Sequence, residues 1–411
     1  MNTLLISDIF PPKVGGSIRF YWEIYRRLPR EQFTIAAGED SRQLEFDQTH
    51  DLRVHRVPLT LTDWGLVSIN GIRGYYRSVK ELLRLVKANH IDMIHCGRCL
   101  PEGLMSSLVK SFTGIPYICY AWGEDLTSAA TSREMTFLAR KVLHGAKCIV
   151  TCSQNTRKIL INDWAVPDER IRLIYPGVDT QRFVPMPKDQ DFLKKIGWEG
   201  RTVILTVSRL QKRKGHDQMI PGLVKIRKQV PDVLYAIVGD GAERAHLERL
   251  VRDYDLSSVV QFLGEFGMDD DRLIKCYQQC DLFVLPNREV DNDIEGFGMV
   301  LIEAQACGIP VIGGICGGTA ETMRIPDTGL VVDCTGPEKL ADLVCELLRD
   351  RPRLTRMGTE AREWVAENFD WDTLSKSAYG VFSDLMRTEK RDTGLGALQP
   401  QDDILVESKH Q

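Results

Sequence analysis

The 411-residue chain has no run of about 18 consecutive apolar residues, so no transmembrane helix is expected. It has no excess of positive charge: 53 Lys and Arg stand against 57 Asp and Glu, a net of −4. A dedicated nucleic-acid binder is basic overall, so no nucleic-acid partner is expected. No basic stretch precedes the first apolar run, which reaches Asp8 within one strand's length. The opening residues therefore read as a first strand and not as a secretion signal. Cysteine is not scarce, but its count of eleven is odd, and without a leader that points to free thiols in the cytoplasm. Cys96 and Cys99 form a single C-x-x-C, and no second pair supplies the other ligands of a zinc site. They read as two unpaired thiols. Neither a Walker loop nor a G-x-G-x-x-G fingerprint occurs, and no short-period repeat is visible.

What is present is alternation. With 43% hydrophobic and 27% charged residues the chain has the composition of ordinary folded proteins, so disorder over most of it is excluded. At about 150 residues per domain, its length suggests two to three domains. Short apolar runs recur at 3–7, 33–37, 53–57, 91–95, 116–120 and 148–151, then at 202–207, 233–238, 259–262, 282–285, 310–312 and 330–332. Runs this short and apolar fit strands buried on both faces. Between them lie helical patterns such as 17–28, 73–89, 219–229 and 242–254. Strand and helix repeated this way predict an α/β fold with parallel sheets.

Pro176, Gly177, Pro185, Pro187, Gly197 and Gly200 cluster with charged residues in a linker pattern that divides the chain into halves of similar size. The expected units are residues 1–185 and 186–370. A helix over about 371–387 closes the chain and packs back on the first unit, and 388–411 form a mobile tail. Two such halves imply a cleft, with ligands beyond the carboxyl ends of the strands.

Functional residues are therefore sought just after strands. After the first strand comes Gly15-Gly16-Ser17, leading into a helix. Two glycines admit a ligand close to the backbone, Ser17 is a candidate cap, and the helix start favours an anion. A structural tight turn fits this spacing equally well. After the first strand of the second half, Arg209, Lys212, Arg213 and Lys214 place four cations beside Gly215. Of these, Arg209 and Lys214 are placed to neutralise a diphosphate without a metal. Gly239-Asp240-Gly241 resembles part of a dinucleotide fingerprint, but Arg244 replaces the third glycine, so it reads as a close-packed turn lining the cleft.

The most informative segment runs from Glu295 through Gly296, Phe297, Gly298, Met299 and Val300 to Glu303. Two carboxylates flank seven residues, and the glycines turn the chain into a helix whose free amides suit phosphate or sugar oxygens. One carboxylate is placed to meet a reacting sugar while the other reaches a ribose diol.

This segment resembles the E-x7-E signature of the retaining glycosyltransferases of family 4, which have the GT-B fold. Tyr175-Pro176-Gly177-Val178-Asp179, Ser208-Arg209-Leu210 with Lys214-Gly215, residues 313–321 and Thr328-Gly329-Leu330-Val331 resemble the same family, in order along about residues 1–387. The resemblance implies two Rossmann-like domains, their parallel sheets facing an interdomain cleft, the first holding the acceptor and the second a nucleotide sugar. It implies that Gly16 approaches the donor diphosphate, that Arg209 and Lys214 bind it, and that Glu295 contacts the donor sugar. Phe297, Gly298, Met299 and Val300 then supply backbone contacts, Glu303 holds the ribose, and the loop at Gly264 borders the base. It also implies no cofactor and no metal, so Asp291-Asn292-Asp293 reads as a solvated loop. Retention is explained in the family without a firm protein nucleophile, the leaving phosphate helping to take the acceptor proton.

One departure stands out. Relatives place a His in a His-Gly-x-Asp or His-Gly-x-Glu context facing the donor sugar, whereas here Trp122-Gly123-Glu124-Asp125 occupies that stretch. Trp stacks on a sugar face and donates one N–H but accepts no proton. Either that contact is dispensed with, or Glu124, Asp125 or His95 replaces it, His95 being equally readable as a core residue.

In the 73–89 helix, Arg73, Arg77, Lys80, Arg84 and Lys87 share one face, opposite Val79, Leu82, Leu83 and Val86. Arg26, Arg27 and Arg30 enrich the same half. A solvated face and peripheral attraction to an anionic membrane or a polyprenyl-diphosphate acceptor both fit this stripe. The function expected is hexosyl transfer, from GDP-mannose or UDP-glucose, to a carbohydrate or lipid-linked hydroxyl. A nucleotide-sugar epimerase and a weakly catalytic nucleotide-sugar-binding homologue are the alternatives.

Overall fold

The computed structural model describes residues 2–267, 270–291 and 293–392. Strands β1 (Thr3–Ser7), β2 (Phe33–Gly38), β3 (Arg53–Val57), β4 (Met93–Cys96), β5 (Tyr117–Ala121), β6 (Cys148–Thr151) and β7 (Ile171–Leu173) form one sheet in the order β3-β2-β1-β4-β5-β6-β7. Strands β8 (Thr202–Val207), β9 (Val233–Val238), β10 (Val260–Gly264), β11 (Leu282–Leu285), β12 (Val311–Gly314) and β13 (Gly329–Val332) form a second, in the order β10-β9-β8-β11-β12-β13. Every described pairing between these strands is parallel. This is a GT-B architecture of two Rossmann-like units. The central strands β1, β4, β8 and β11 are almost wholly apolar because helices cover both faces.

The first unit carries α1 (Gly16–Tyr25), α2 (Gln43–Asp47), α3 (Ile69–Ala88), α4 (Glu102–Thr113), α5 (Glu124–Ala129), α6 (Arg133–Gly145) and α7 (Gln154–Asn162). The second carries α8 (Gln190–Ile196), α9 (His216–Gln229), α10 (Arg244–Asp253), α11 (Asp271–Gln279), α12 (Met299–Ala306), α13 (Pro337–Arg349) and α14 (Arg351–Asn368). In each sheet the strand order reverses beside the first strand. That reversal opens a crevice at the carboxyl ends of β1 and β4, and another at β8 and β11. The Gly15-Gly16 turn, the four-cation run and Glu295 all follow those strands.

Twelve apolar runs correspond to strands. The unforeseen one is β7, three residues long with exposed Arg172 at its centre, too short and too polar to show a pattern. The linker is not structureless: α8 lies within residues 176–200, and Val178 pairs with Asp370. The chain crosses between units a second time at that pairing, where the Val178 N–H donates to the Phe369 carbonyl over 2.8 Å.

The last helix, α15 (Trp371–Asp392), lies on the first unit, with Trp371 edge-on to Phe20 at 5.9 Å and Phe382 4.6 Å from His95. It continues past the position where the mobile tail was expected to start. Residues 393–411 of that expected tail lie outside the described residues. Cys96 and Cys99 are buried free thiols, like most of the other cysteines.

Candidate active site

The second unit builds the charged centre. After β8 the chain makes a single 3-10 turn at Lys212–Lys214 and leaves it through Gly215 at φ +75°. A Cβ at Gly215 would stand 1.7 Å from the Pro286 carbonyl oxygen, so glycine alone lets this turn press against the end of β11. The turn buries Arg213 and Lys214 and aims both at Glu295. Arg213 Nη1 donates to Glu295 Oε2 over 2.9 Å, and the Lys214 ammonium donates to the same oxygen.

Burial pushes the Glu295 carboxyl up, but Lys214 and Arg213 together outweigh it and hold the group below its ordinary value. Lys214 is left below the usual lysine value, because burial there outweighs the attraction of Glu295. Behind Glu295, Gly318 donates its N–H to the Glu295 carbonyl over 3.0 Å. A Cβ at Gly317 would stand 1.9 Å from that carbonyl oxygen.

Arg213 is the residue the sequence reading missed. Its Nε lies 2.9 Å from Asp293 and its Nη2 3.5 Å from Glu124, which reaches across from the first unit. Its signal was present, since it stands in the four-cation run beside Lys214. Arg209 is more open, 60% exposed, with Glu124 3.8 Å away. Of the expected solvated loop, Asp291 is exposed, while Asp293, 41% exposed, is also ion-paired to Arg213. Asn292 lies outside the described residues. Among the described residues no group of three His, Cys, Asp or Glu is arranged to hold a metal ion.

Gly16 faces the start of α12: a Cβ there would lie 3.6 Å from Met299 Sδ, across the cleft. Gly15, in extended backbone, precedes α1 as its cap residue, with no side-chain cap. Ser17 falls inside the helix and does not cap it. Gly298, at φ +94°, turns the chain into α12, whose first amides also lack a side-chain cap. Phe297 is buried against Tyr175 and Phe369 at 5.5 and 5.7 Å, so only its backbone is placed to serve the cleft. Met299 and Val300 are half-buried. Gly239 lies against Ser208, where a Cβ would stand 1.9 Å from the carbonyl oxygen, and donates its N–H to the Gly264 carbonyl over 2.7 Å. Gly264 itself has open space where a Cβ would stand.

Four candidate residues have partners within the protein. His95 is a core residue: it is 1% exposed, bonded through Nδ1 to the Tyr25 hydroxyl at 2.7 Å, and burial holds its pKa down at about 3. Asp125 is half-buried and accepts the backbone N–H of Trp122 at 2.9 Å and of Cys99 at 3.3 Å, so it caps its own loop. Trp122 has already committed its indole N–H, to the Tyr21 hydroxyl at 2.8 Å and the Gly97 carbonyl at 2.9 Å. It offers the cleft ring carbons and no donor. Glu303 is covered, 6% exposed, and accepts from the Tyr277 hydroxyl over 2.7 Å. Burial raises its pKa while Arg19 of α1 opposes the rise.

Two further contacts join the units. Glu321 accepts the N–H groups of Gln154 and Asn155, at 2.6 and 2.9 Å, capping α7 from the other side of the cleft. Gly296 lies against Trp122.

Two facing Rossmann-like units with cations, a buried carboxylate and a glycine turn at their switch points define a glycosyltransferase of GT-B architecture. Residues 14–182 match the family model described as Glycosyltransferase Family 4, and 188–364 match Glycosyl transferases group 1. The chain is 31% identical over 383 residues to the GDP-mannose-dependent alpha-(1-6)-phosphatidylinositol monomannoside mannosyltransferase of Mycobacterium tuberculosis, covering 91% of this chain and 96% of that protein. The GDP-mannose-dependent monoacylated alpha-(1-6)-phosphatidylinositol monomannoside mannosyltransferase of Corynebacterium glutamicum is 29% identical over 382 residues, 91% of this chain and 96% of that one. The structure of Anabaena Alr3699/HepE in complex with UDP and glucose superposes with a TM-score of 0.79 at 20% identity, over 93% of this chain and 100% of that chain. The chain belongs to glycosyltransferase family 4.

Proposed function

We propose that this chain transfers mannose from GDP-mannose to a hydroxyl of a glycolipid acceptor, with retention of configuration and without a metal or other cofactor. The observation that carries the reading is the convergence of Lys214 and Arg213 on Glu295, beside the uncapped start of α12 and opposite Gly16. Arg209, Lys214 and the α12 amides supply positive potential for a diphosphate, fixed before the leaving group gains charge. Glu295, held by two cations, is a poor nucleophile. It suits a role in holding sugar hydroxyls, and the departing phosphate then takes the acceptor proton. The relatives at 29–31% identity favour GDP-mannose. UDP-glucose is the second donor to try.

A lipid-borne acceptor is supported by α3. Arg73, Arg77, Lys80, Arg84 and Lys87 are all exposed on it. Val67, Ile69, Ile72 and Tyr76, at its first turns, are 86, 66, 51 and 70% exposed. Such a cationic face edged by apolar side chains suits contact with an anionic bilayer. Among the described residues no helix is long and apolar enough to cross a membrane.

The test is a nucleotide-sugar panel read by ligand-observed NMR, followed by turnover with a mannosylated lipid. GDP-mannose is expected to bind most tightly and to transfer. Incubation of the donor alone, yielding an isomerised nucleotide sugar, would instead identify an epimerase.

A further inference from the structure

The charged centre is balanced by the protein's own groups. Arg209, Arg213 and Lys214 face three carboxylates, Glu124, Asp293 and Glu295. A nucleotide sugar brings its diphosphate to these same cations. Like charges held close together in a partly buried site repel strongly, so a carboxylate has to give way.

The three carboxylates are not equally held. Glu295 is 11% exposed and takes both Arg213 and Lys214. Asp293 lies 2.9 Å from Arg213. Glu124 is 50% exposed, stands 3.5 Å from Arg213 and 3.8 Å from Arg209, and its carboxylate accepts no described hydrogen bond. An exposed pair at such a separation is weak. Glu124 is also the carboxylate that comes from the first unit, at the first turn of α5. Its backbone is fixed, because Asp125 beside it accepts the N–H groups of Trp122 and Cys99. Only its side chain has room to turn. An oxygen bonded to Arg209 at about 2.9 Å would stand within about 7 Å of the Glu124 carboxylate. The two anions compete for one guanidinium.

We propose that Glu124 is a counter-ion exchanged with the donor diphosphate. It pairs with Arg209 and Arg213 when no diphosphate holds them, yields to an arriving nucleotide sugar, and returns to help the spent nucleoside diphosphate leave. Product release limits turnover in many enzymes, so the exchange gives Glu124 a hold on the rate without a part in the chemistry. This rests on the transferase reading above and adds a positioning residue to it, one that acts through Arg209 and Arg213.

The experiment titrates the full chain with GDP and with UDP by calorimetry, at low salt and again at about 1 M salt, where charges are screened beyond about 3 Å. Wild-type, Glu124→Gln, Glu124→Ala and Glu321→Gln chains are compared. Glu124→Gln keeps the shape of an exposed side chain, and Glu124→Ala repeats the loss of charge should the first not fold. Glu321→Gln removes another contact between the units, one that involves none of the three cations. Both Glu124 variants are expected to bind the nucleoside diphosphate about threefold more tightly at low salt, the size of effect exposed charge pairs give. Release of the nucleotide in stopped-flow displacement should slow to match, and the difference from wild type should shrink at high salt. Glu321→Gln should not bind more tightly. Unchanged or weaker binding in the Glu124 variants, equal tightening in Glu321→Gln, or a difference that persists at high salt would each overturn the assignment. Absent binding of both nucleotides to the wild-type chain would overturn the donor reading itself, and the assignment with it.

Discussion

The carbonyl oxygen of Trp122 lies 2.5 Å from the point where a Cβ on Gly296 would stand, the first belonging to one unit and the second to the other. No side chain fits there while the units keep this distance. Gly296→Ala is therefore expected to part the cleft at its centre. A displacement of about 1 Å there costs on the order of 100-fold in rate. Turnover should fall to that extent while the melting temperature holds, and small-angle scattering should report a larger radius of gyration.

Arg213 and Lys212 are neighbours with opposite fates. Arg213 is 4% exposed and bonded to Glu295, whereas Lys212 is exposed. Arg213→Met removes one of two cations from a buried carboxylate, at a cost of roughly 2–3 kcal/mol. Lys212→Met should stay within about 0.5 kcal/mol of wild type. Denaturant unfolding of the two variants checks the contrast, and equal losses would remove Arg213 from the charged centre.

Acid should weaken the fold earlier than its carboxylates require. His95 and His216 are buried, and each is held neutral, with its pKa pushed down from 6.5 to about 3, chiefly by burial. Unfolding frees both to take up protons. Their contribution is complete above pH 6.5 and drains as pH falls toward about 3. Each contributes a slope of up to about 1.4 kcal/mol per pH unit. Replacing His95 with Gln should flatten the fall in stability between pH 6 and about 4, measured by denaturant titration at each pH.

Trp122→Phe separates a structural role from a ligand-binding one. The variant loses the N–H that serves Tyr21 and Gly97. A stability loss of about 1–2 kcal/mol with unchanged GDP affinity is expected. Loss of GDP affinity without loss of stability would place the ring in the donor site.

On α3, reversing two charges with Arg77→Glu and Lys80→Glu should weaken binding to anionic vesicles by more than about tenfold at low salt, since each basic residue near such a surface contributes about 1 kcal/mol. Vesicle sedimentation reads this directly. Equal binding by both chains would remove α3 from the membrane contact.

The sequence made the sheets legible because both are buried on two faces, which leaves unbroken apolar runs such as Thr202–Val207. It could not reveal β7, an edge strand of three residues. Among site residues, spacing along the chain singled out Glu295 and Lys214, both in loops that follow apolar strands. Spacing carried no information on which cation would be folded inward. Arg213 and Arg209 looked alike in sequence, yet one is buried in the ion cluster and the other is 60% exposed. His95 was ambiguous for a related reason. A histidine at the end of an apolar strand faces the cleft or the core according to register, and here Tyr25 and Phe382 enclose it.

The pairing of Val178 with Asp370 sets the two crossings of the chain side by side at one seam. Both covalent links between the units therefore run through one place. A protease that nicks the exposed stretch around Lys188–Asp191 would cut one of those links and leave the other whole, so the nicked chain stays one particle.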